Sequence, residues 1–189
     1  MTDYIREFTN ILNMFGYKYS KWKVWNDFLY LSAVSMANLF PTAKRKERAA
    51  QYHKIRNSYP EEFRELFSQL LAIVIVALTR KPEQDFLGTL YHNLGLHQQQ
   101  KGQFFTPYDI SRFMAEILFA DSDLDELKDK KYIKVNDPAC GAGALLIAYA
   151  NAAKKHGINY QKDVLFMAQD IDQTAALMCY IQLSLLVYC

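Results

Sequence analysis

The chain has 189 residues, 51% of them hydrophobic and 22% charged, with a formal net charge of +2. This composition suits one globular domain, or one domain with a substantial extension, and excludes a disordered chain. With 13 Tyr and 12 Phe a sizeable core can be buried, while the longest apolar run, Leu70 to Leu78, falls well short of the ~18 residues of a membrane span. The three cysteines, Cys140, Cys179 and Cys189, form no CxxC pair and no metal-ligand spacing, and the N-terminus lacks a signal-peptide layout. Both features suit a reducing cytoplasm. The histidines, His53, His92, His97 and His156, are scattered, so neither a membrane nor a metal is expected as a partner.

In chain order, Ile5, Phe8, Leu12 and Phe15 share one helical face, with Gly16 as the stop. Ser20 can cap a second helix that runs through Trp22, Trp25, Phe28, Leu29, Leu31 and Val34 to about Phe40. Pro41 breaks that helix and Thr42 can cap the next, which reaches about Ser58. This third segment holds Lys44, Arg45, Lys46, Arg48, Lys54 and Arg56 against the single acid Glu47. Such a face is either solvated or turned to phosphates. Pro60-Glu61-Glu62 opens a fourth helix, with Pro in its first turn and acids at the positive end of its dipole; it ends near Lys81-Pro82. A fifth helix is expected from about Pro82 to Asn93, closed by Gly95. Residues 4–95 therefore read as all-helical. A polar run, His97-Gln98-Gln99-Gln100-Lys101-Gly102, is the nearest feature to a boundary. Beyond it come Gln103-Phe104-Phe105-Thr106-Pro107, a helix from Asp109 to about Phe119, and a charged surface connection from Asp121 to Lys131.

From Tyr132 the pattern changes to β/α. A strand from Tyr132 to Asn136 runs into Asp137-Pro138 and a G-x-G pair, Gly141 and Gly143, and an Ala/Leu-rich helix then extends to about His156. A second strand covers Val164 to Gln169 and ends in Asp170-Ile171-Asp172, before a last helix from Thr174 to about Val187. Glycines at such a turn let the backbone bend sharply and a ligand approach without obstruction from Cβ, although a tight strand-to-helix turn needs them equally. Asp137 ends the first strand, and Asp170 stands 27 residues beyond Gly143, where an acid can bind a ribose hydroxyl pair. Asp172 is the alternative for that role, or else a helix cap. Ile171 can lie against a flat base or belong to the core. A dinucleotide fingerprint would need Gly at 146, where Leu146 stands, so NAD and FAD are disfavoured.

Asp137-Pro138-Ala139-Cys140-Gly141-Ala142-Gly143 resembles the S-adenosylmethionine-binding motif of the N6-adenine DNA methyltransferases, usually Asp-Pro-Ala-Cys-Gly-Ser-Gly. Gly102-Gln103-Phe104-Phe105-Thr106-Pro107 resembles the segment that precedes it in the modification subunits of type I restriction systems. Ala168-Gln169-Asp170-Ile171-Asp172 resembles the second acidic motif of that family, usually Gly-Gln-Glu-Ile-Asp. The resemblance covers residues 86–187 and implies a partial Rossmann-like α/β methyltransferase core over residues 102–189, preceded by a helical region over 1–101. It implies a cofactor site of Phe105, Thr106, Pro107, Asp137, Pro138, Ala139, Gly141, Gly143, Asp170 and Ile171. In that site Thr106 and Pro107 line the methionine end, Asp137 meets the cofactor ammonium, Asp170 takes the ribose hydroxyls and Ile171 touches the adenine. Ala142 and Ala144 replace the usual Ser and Gly, and Asp170 is one methylene shorter than the usual Glu. Cys140 fits the family pattern as a packing residue.

The family holds its flipped target adenine with an Asn/Asp-Pro-Pro-Tyr/Phe motif, and no such sequence occurs in these residues. Asn136-Asp137-Pro138-Ala139 lacks the second Pro and the aromatic. No catalytic residue is therefore assigned, and catalysis by these residues alone is not expected. The resemblance makes DNA the expected partner, with Lys44, Arg45, Lys46 and Arg48 as candidate contacts. The leading expectation is the cofactor-binding portion of a DNA adenine-N6 methyltransferase. The competing one is a catalytically inactive cofactor- or DNA-binding module that partners other restriction-modification subunits. A methyltransferase acting on RNA, protein or a small molecule is disfavoured by Phe104-Phe105-Thr106-Pro107.

Overall fold

The computed structural model describes residues 3–96, 105–121 and 132–186. The polar run from His97 to Gly102, with Gln103 and Phe104, and most of the charged connection before Tyr132 lie outside the described residues.

Helix α1 (Tyr4–Asn13) begins where the Asp3 carboxylate accepts the amide of Arg6 at 3.1 Å, and it buries Phe8 and Leu12. Gly16, at φ +62°, bends the chain into a 3-10 turn, Gly16–Lys18. Helix α2 (Lys21–Ala37) carries the expected cap: the Ser20 hydroxyl accepts from the amide of Lys23 at 3.2 Å. Helix α3 (Arg45–Asn57) buries none of its residues. Thr42 does not cap it: the cap position falls two residues later, at Lys44, and the Thr42 hydroxyl accepts from the Arg48 guanidinium at 2.6 Å. Helix α4 (Glu61–Arg80) has Pro60 at the cap, one position before the first turn, with Glu61 and Glu62 at the dipole's positive end. Helix α5 (Phe86–Asn93) starts later than Pro82, because Asp85 is its cap and accepts the amide of Gly88 at 2.9 Å. The Gln84 side-chain amide closes the end of α4 by donating to the carbonyls of Ala77 (2.9 Å) and Lys81 (2.7 Å).

These helices enclose an aromatic core in which Phe8, Phe15, Trp25, Phe28, Tyr59 and Tyr91 are fully buried. Trp25 has Phe8 at 5.9 Å and Tyr91 at 6.0 Å, spacings typical of interlocked aromatic pairs. The Tyr59 hydroxyl donates to Asp27 at 2.6 Å and accepts from Lys23 at 3.1 Å, fastening the α3–α4 junction to α2. Among the described residues no strand occurs before Tyr132.

The second part is α/β. Helix α6 (Tyr108–Asp121) packs against α7 (Ala144–Lys155), and α7 links strand β1 (Ile133–Asp137) to β2 (Val164–Ala168) through the short α8 (Tyr160–Asp163). The two strands pair in parallel, Ile133 beside Val164 and Asp137 beside Ala168. A parallel pair needs a crossover of this length, and the helix supplies it. One sheet face, Ile133, Val135, Val164 and Phe166, lies on a second core built by α6, α7 and α9 (Gln173–Leu186). The opposite face, with Leu165 and Met167, is open. Helix α9 belongs to both cores: Met178, Ile181 and Leu185 join the aromatic core of the helical region, and Leu186 joins the second. The described chain is thus a mostly helical α/β arrangement with a two-stranded parallel sheet.

Candidate functional site

The strands bring their carboxyl ends side by side, and the glycine turn is laced to the end of β2. The amide of Cys140 donates to the carbonyl of Gln169, and the amide of Gln169 donates to the carbonyl of Asp137, both at 2.9 Å. Gly141 (φ +55°) and Gly143 (φ +96°) both lie in the left-handed region that favours glycine. A Cβ on Gly141 would come within 2.9 Å of the Phe105 ring, and one on Gly143 within 2.9 Å of the Cys179 Sγ. The two glycines therefore serve different neighbours. Gly141 admits Phe105 from the segment before α6, and Gly143 admits α9.

Phe105 is also held from behind, 5.5 Å from the Tyr91 ring and 5.4 Å from His92. The helical region thus presses the Phe105-Thr106 segment onto the turn. The result is a cavity of about 180 Å3 lined by Phe105, Thr106, Asp137, Ala139 and Gly141, with Ser111 and Met114 of α6 on the far wall. Pro107 begins α6, its carbonyl accepting from the amides of Ile110 (3.0 Å) and Ser111 (3.1 Å), and does not line the cavity. Pro138 is exposed at the turn.

The acids divide their work. Asp137 folds back so that one oxygen accepts the amide of Ala139 at 3.1 Å. Asp170 accepts the amide of Gly141 through Oδ2 and that of Asp172 through Oδ1, each at 2.8 Å, so its carboxylate pins the glycine turn from the β2 side. Asp172 accepts the amides of Thr174 (2.7 Å) and Ala175 (3.2 Å), and so caps α9. Ile171 stands fully out of the fold and takes no part in a core.

Two features here were not legible in the sequence. Ser111 lines the cavity, and its hydroxyl is fully buried with no hydrogen-bond partner among the described residues. An orphaned hydroxyl in that position fits a polar ligand. Its sequence signal is slight, a small polar residue between Ile110 and Arg112 in the first turn of α6. The second is Gln182 of α9, fully buried, whose side-chain amide donates to the Ala142 carbonyl (2.9 Å) and to Asp85 (2.8 Å) while its oxygen accepts the amide of Leu87 (3.0 Å). Gln182 ties the glycine turn to the start of α5. Burial drives the Asp85 carboxyl above its ordinary range, opposed by its bonds from Gln182 and Gly88.

Cys140 and Cys179 pack together with Leu146. The Cys179 thiol is pushed up by its pairing with Cys140 and by burial, while the same pairing holds the Cys140 thiol below its ordinary value against burial and the Asp170 and Asp137 charges. Both side chains are buried, in a small cluster that Val135, Phe166 and Leu183 border. Among the described residues no group of three His, Cys, Asp or Glu side chains comes together as a metal site, and no helix is long and apolar enough to cross a membrane.

The basic residues of α3 lie on the outside of the helical region. Lys44, Arg45 and Lys46 are exposed, whereas Arg48 is half-buried, with one guanidinium nitrogen on Thr42 and its Nε without a partner.

No curated protein and no solved structure matches the chain. A model of the N-6 DNA methylase family matches residues 83–186, which take in α5, α6, both strands, the glycine turn and α9. With more than half of its length matched across every element that builds the cavity, the chain belongs to the N-6 DNA methylase family.

Proposed function

We propose that the cavity at the glycine turn binds S-adenosylmethionine and that the chain is the donor side of a DNA adenine-N6 methyltransferase of Rossmann-like fold, similar to the modification subunits of type I restriction systems. One observation carries this reading. The Phe105-Thr106 segment and the Asp137-to-Gly143 turn, far apart in sequence, close on one cavity that holds an unpartnered buried hydroxyl, that of Ser111.

The residues present fit such a cofactor. Glycine at 141 lets Phe105 close against the turn and wall the cavity, and the free oxygen capacity of Asp137 suits the ammonium of the methionine moiety. Thr106 borders the methionine end, while Pro107, outside the cavity lining, leads into the helix that carries Ser111 and Met114. Ala139 and Gly143 complete the turn beside Pro138. Each Asp170 oxygen accepts a single backbone amide and retains lone-pair capacity for a ribose hydroxyl. Ile171 offers an exposed apolar side chain to the adenine. The bound cofactor supplies an electrophilic methyl group, and the contribution of these residues is position and alignment. In the helical region, Lys44, Arg45, Lys46 and Arg48 contact DNA.

A second reading is a non-catalytic cofactor module that works with other restriction-modification subunits. It is favoured by the exposed apolar stripe Ile110, Phe113 and Ile117 on α6 and by Leu165 and Met167 on the open sheet face.

Calorimetry with S-adenosylmethionine tests the cofactor site: saturable binding that is lost in Asp137→Ala is expected, and no binding at millimolar ligand overturns it. Transfer of a labelled methyl group to DNA separates enzyme from module. Replacing Lys44, Arg45, Lys46 and Arg48 with Ala lowers DNA affinity and reduces the salt slope by about one for each phosphate contact removed. Unchanged affinity and slope end the DNA assignment.

A further inference from the structure

Helix α3 borders two connected openings. One, on its basic side, is lined by Tyr30, Lys44, Glu47, Arg48 and Lys54. The other is a groove of about 370 Å3 between α2, residues 40–42 and α9. Its walls are three aromatic side chains, Tyr30, Phe40 and Tyr180, over a floor that includes Val34 and Leu177. Phe40 is 63% and Tyr180 39% exposed, a large apolar outlay for positions that contribute nothing to either core. Arg48 and Tyr30 border both openings.

Arg48 decides what the groove can take. Its guanidinium is held by Thr42, yet its Nε–H finds no acceptor among the described residues. The guanidinium borders both openings, so its unfilled donor capacity is available to an acceptor on a ligand there. Tyr30 lies close enough to feel both Arg48 and Glu47, and its hydroxyl is pushed up chiefly by burial. A ligand that matches must therefore be flat, to use the aromatic faces, carry hydrogen-bond acceptors on its edge, and be joined to negative charge, to meet Lys44, Lys54 and the rest of α3. An unpaired nucleotide meets all three conditions: its base stacks on aromatics, its edge presents acceptors to Arg, and its phosphates face cations.

We propose that this groove is a subsite for an unpaired base of DNA, held by Phe40, Tyr180 and Tyr30 with Arg48 on the base edge and α3 on the flanking phosphates. The inference rests on the DNA reading above and extends it. The groove shares no residue with the cavity at the glycine turn, so the base it holds is distinct from one presented to the methyl donor. Helix α9 links the two places: it starts at the Asp172 cap, and Tyr180 stands about two turns, roughly 10 Å, along it.

The test measures fluorescence anisotropy with one labelled strand in two forms, a fully paired duplex and the same duplex with a short unpaired bulge. Wild-type chain is expected to bind the bulged form about tenfold more tightly, in keeping with the gain from stacking one base. Phe40→Leu with Tyr180→Leu keeps apolar bulk but removes two π faces, and is expected to abolish that preference while leaving paired-duplex affinity unchanged. Photocrosslinking with 5-iododeoxyuridine in the bulge should label Tyr30, Phe40 or Tyr180. Equal affinity for the two forms, a preference that survives the Leu substitutions, or crosslinks confined to other residues each overturns the groove while leaving the DNA reading intact. Binding to neither form by the wild type overturns both.

Discussion

At the scale of single residues, Gly143 and Asp85 show what the glycine turn requires of its surroundings. A side chain at 143 would be forced into a left-handed conformation and against Cys179, with the Cys179 Cα at 3.4 Å leaving backbone as well as side chain to clear. Gly143→Ala should therefore cost about 2–4 kcal/mol, combining a left-handed penalty with overpacking. Urea denaturation would measure it, and Cys179→Ala in the same chain should recover only the packing part. Asp85 carries a pH signature. Its folded-state carboxyl is raised by burial, so above the unfolded pKa the folded state binds more protons than the unfolded state, and stability falls as pH rises through the raised value. Asn caps a helix as well as Asp. The stability of the wild type relative to Asp85→Asn should thus be greatest at acid pH and decline toward neutrality. A difference that stays flat between these limits would show that Asp85 does not titrate in that range.

At the scale of elements, α9 is the hinge of the architecture. It is capped by Asp172, contributes Thr174 to a hydrogen bond with Asn26 of α2 at 2.8 Å, and sends Gln182 between α5 and the glycine turn. A Leu at 182 would leave the Leu87 amide and the Ala142 carbonyl without their partner and the Asp85 carboxylate with the bond from Gly88 alone. At ~1–3 kcal/mol for each unsatisfied buried group, Gln182→Leu should destabilise the chain by about 3–5 kcal/mol. Because Ala142 sits inside the turn, the same substitution should also weaken S-adenosylmethionine binding in calorimetry. Loss of stability with unchanged ligand affinity would show that Gln182 is only a strut.

At the scale of the whole molecule, the helical region and the α/β part share side chains. Ala142 of the turn and Met178, Ile181 and Leu185 of α9 lie in the same core as Phe8, Trp25 and Tyr91. We therefore expect residues 1–101 and 102–189 to unfold in one cooperative transition, seen as coincident far-UV and Trp fluorescence melts. Both tryptophans, Trp22 and Trp25, lie in the helical region, so a change in their melt on binding S-adenosylmethionine would report coupling across the shared core. Two separated transitions would contradict this.

The sequence by itself determined the elements and the family. Helix faces, the Ser20 cap, the two strands and the Asp-Pro-x-x-Gly-x-Gly turn all follow from local chemistry, in which spacing and backbone preference act within a few residues. Thr42 and Pro82 mark its limit, since the cap of α3 falls at Lys44 and Asp85 sets the start of α5. Tertiary structure alone decided what surrounds the turn. That Phe105 lies on Gly141, that Ser111 brings an unpaired hydroxyl to the cavity and that Gln182 holds the Ala142 carbonyl are contacts between residues distant in the chain. They depend on how two cores close around one helix, and no periodicity records that.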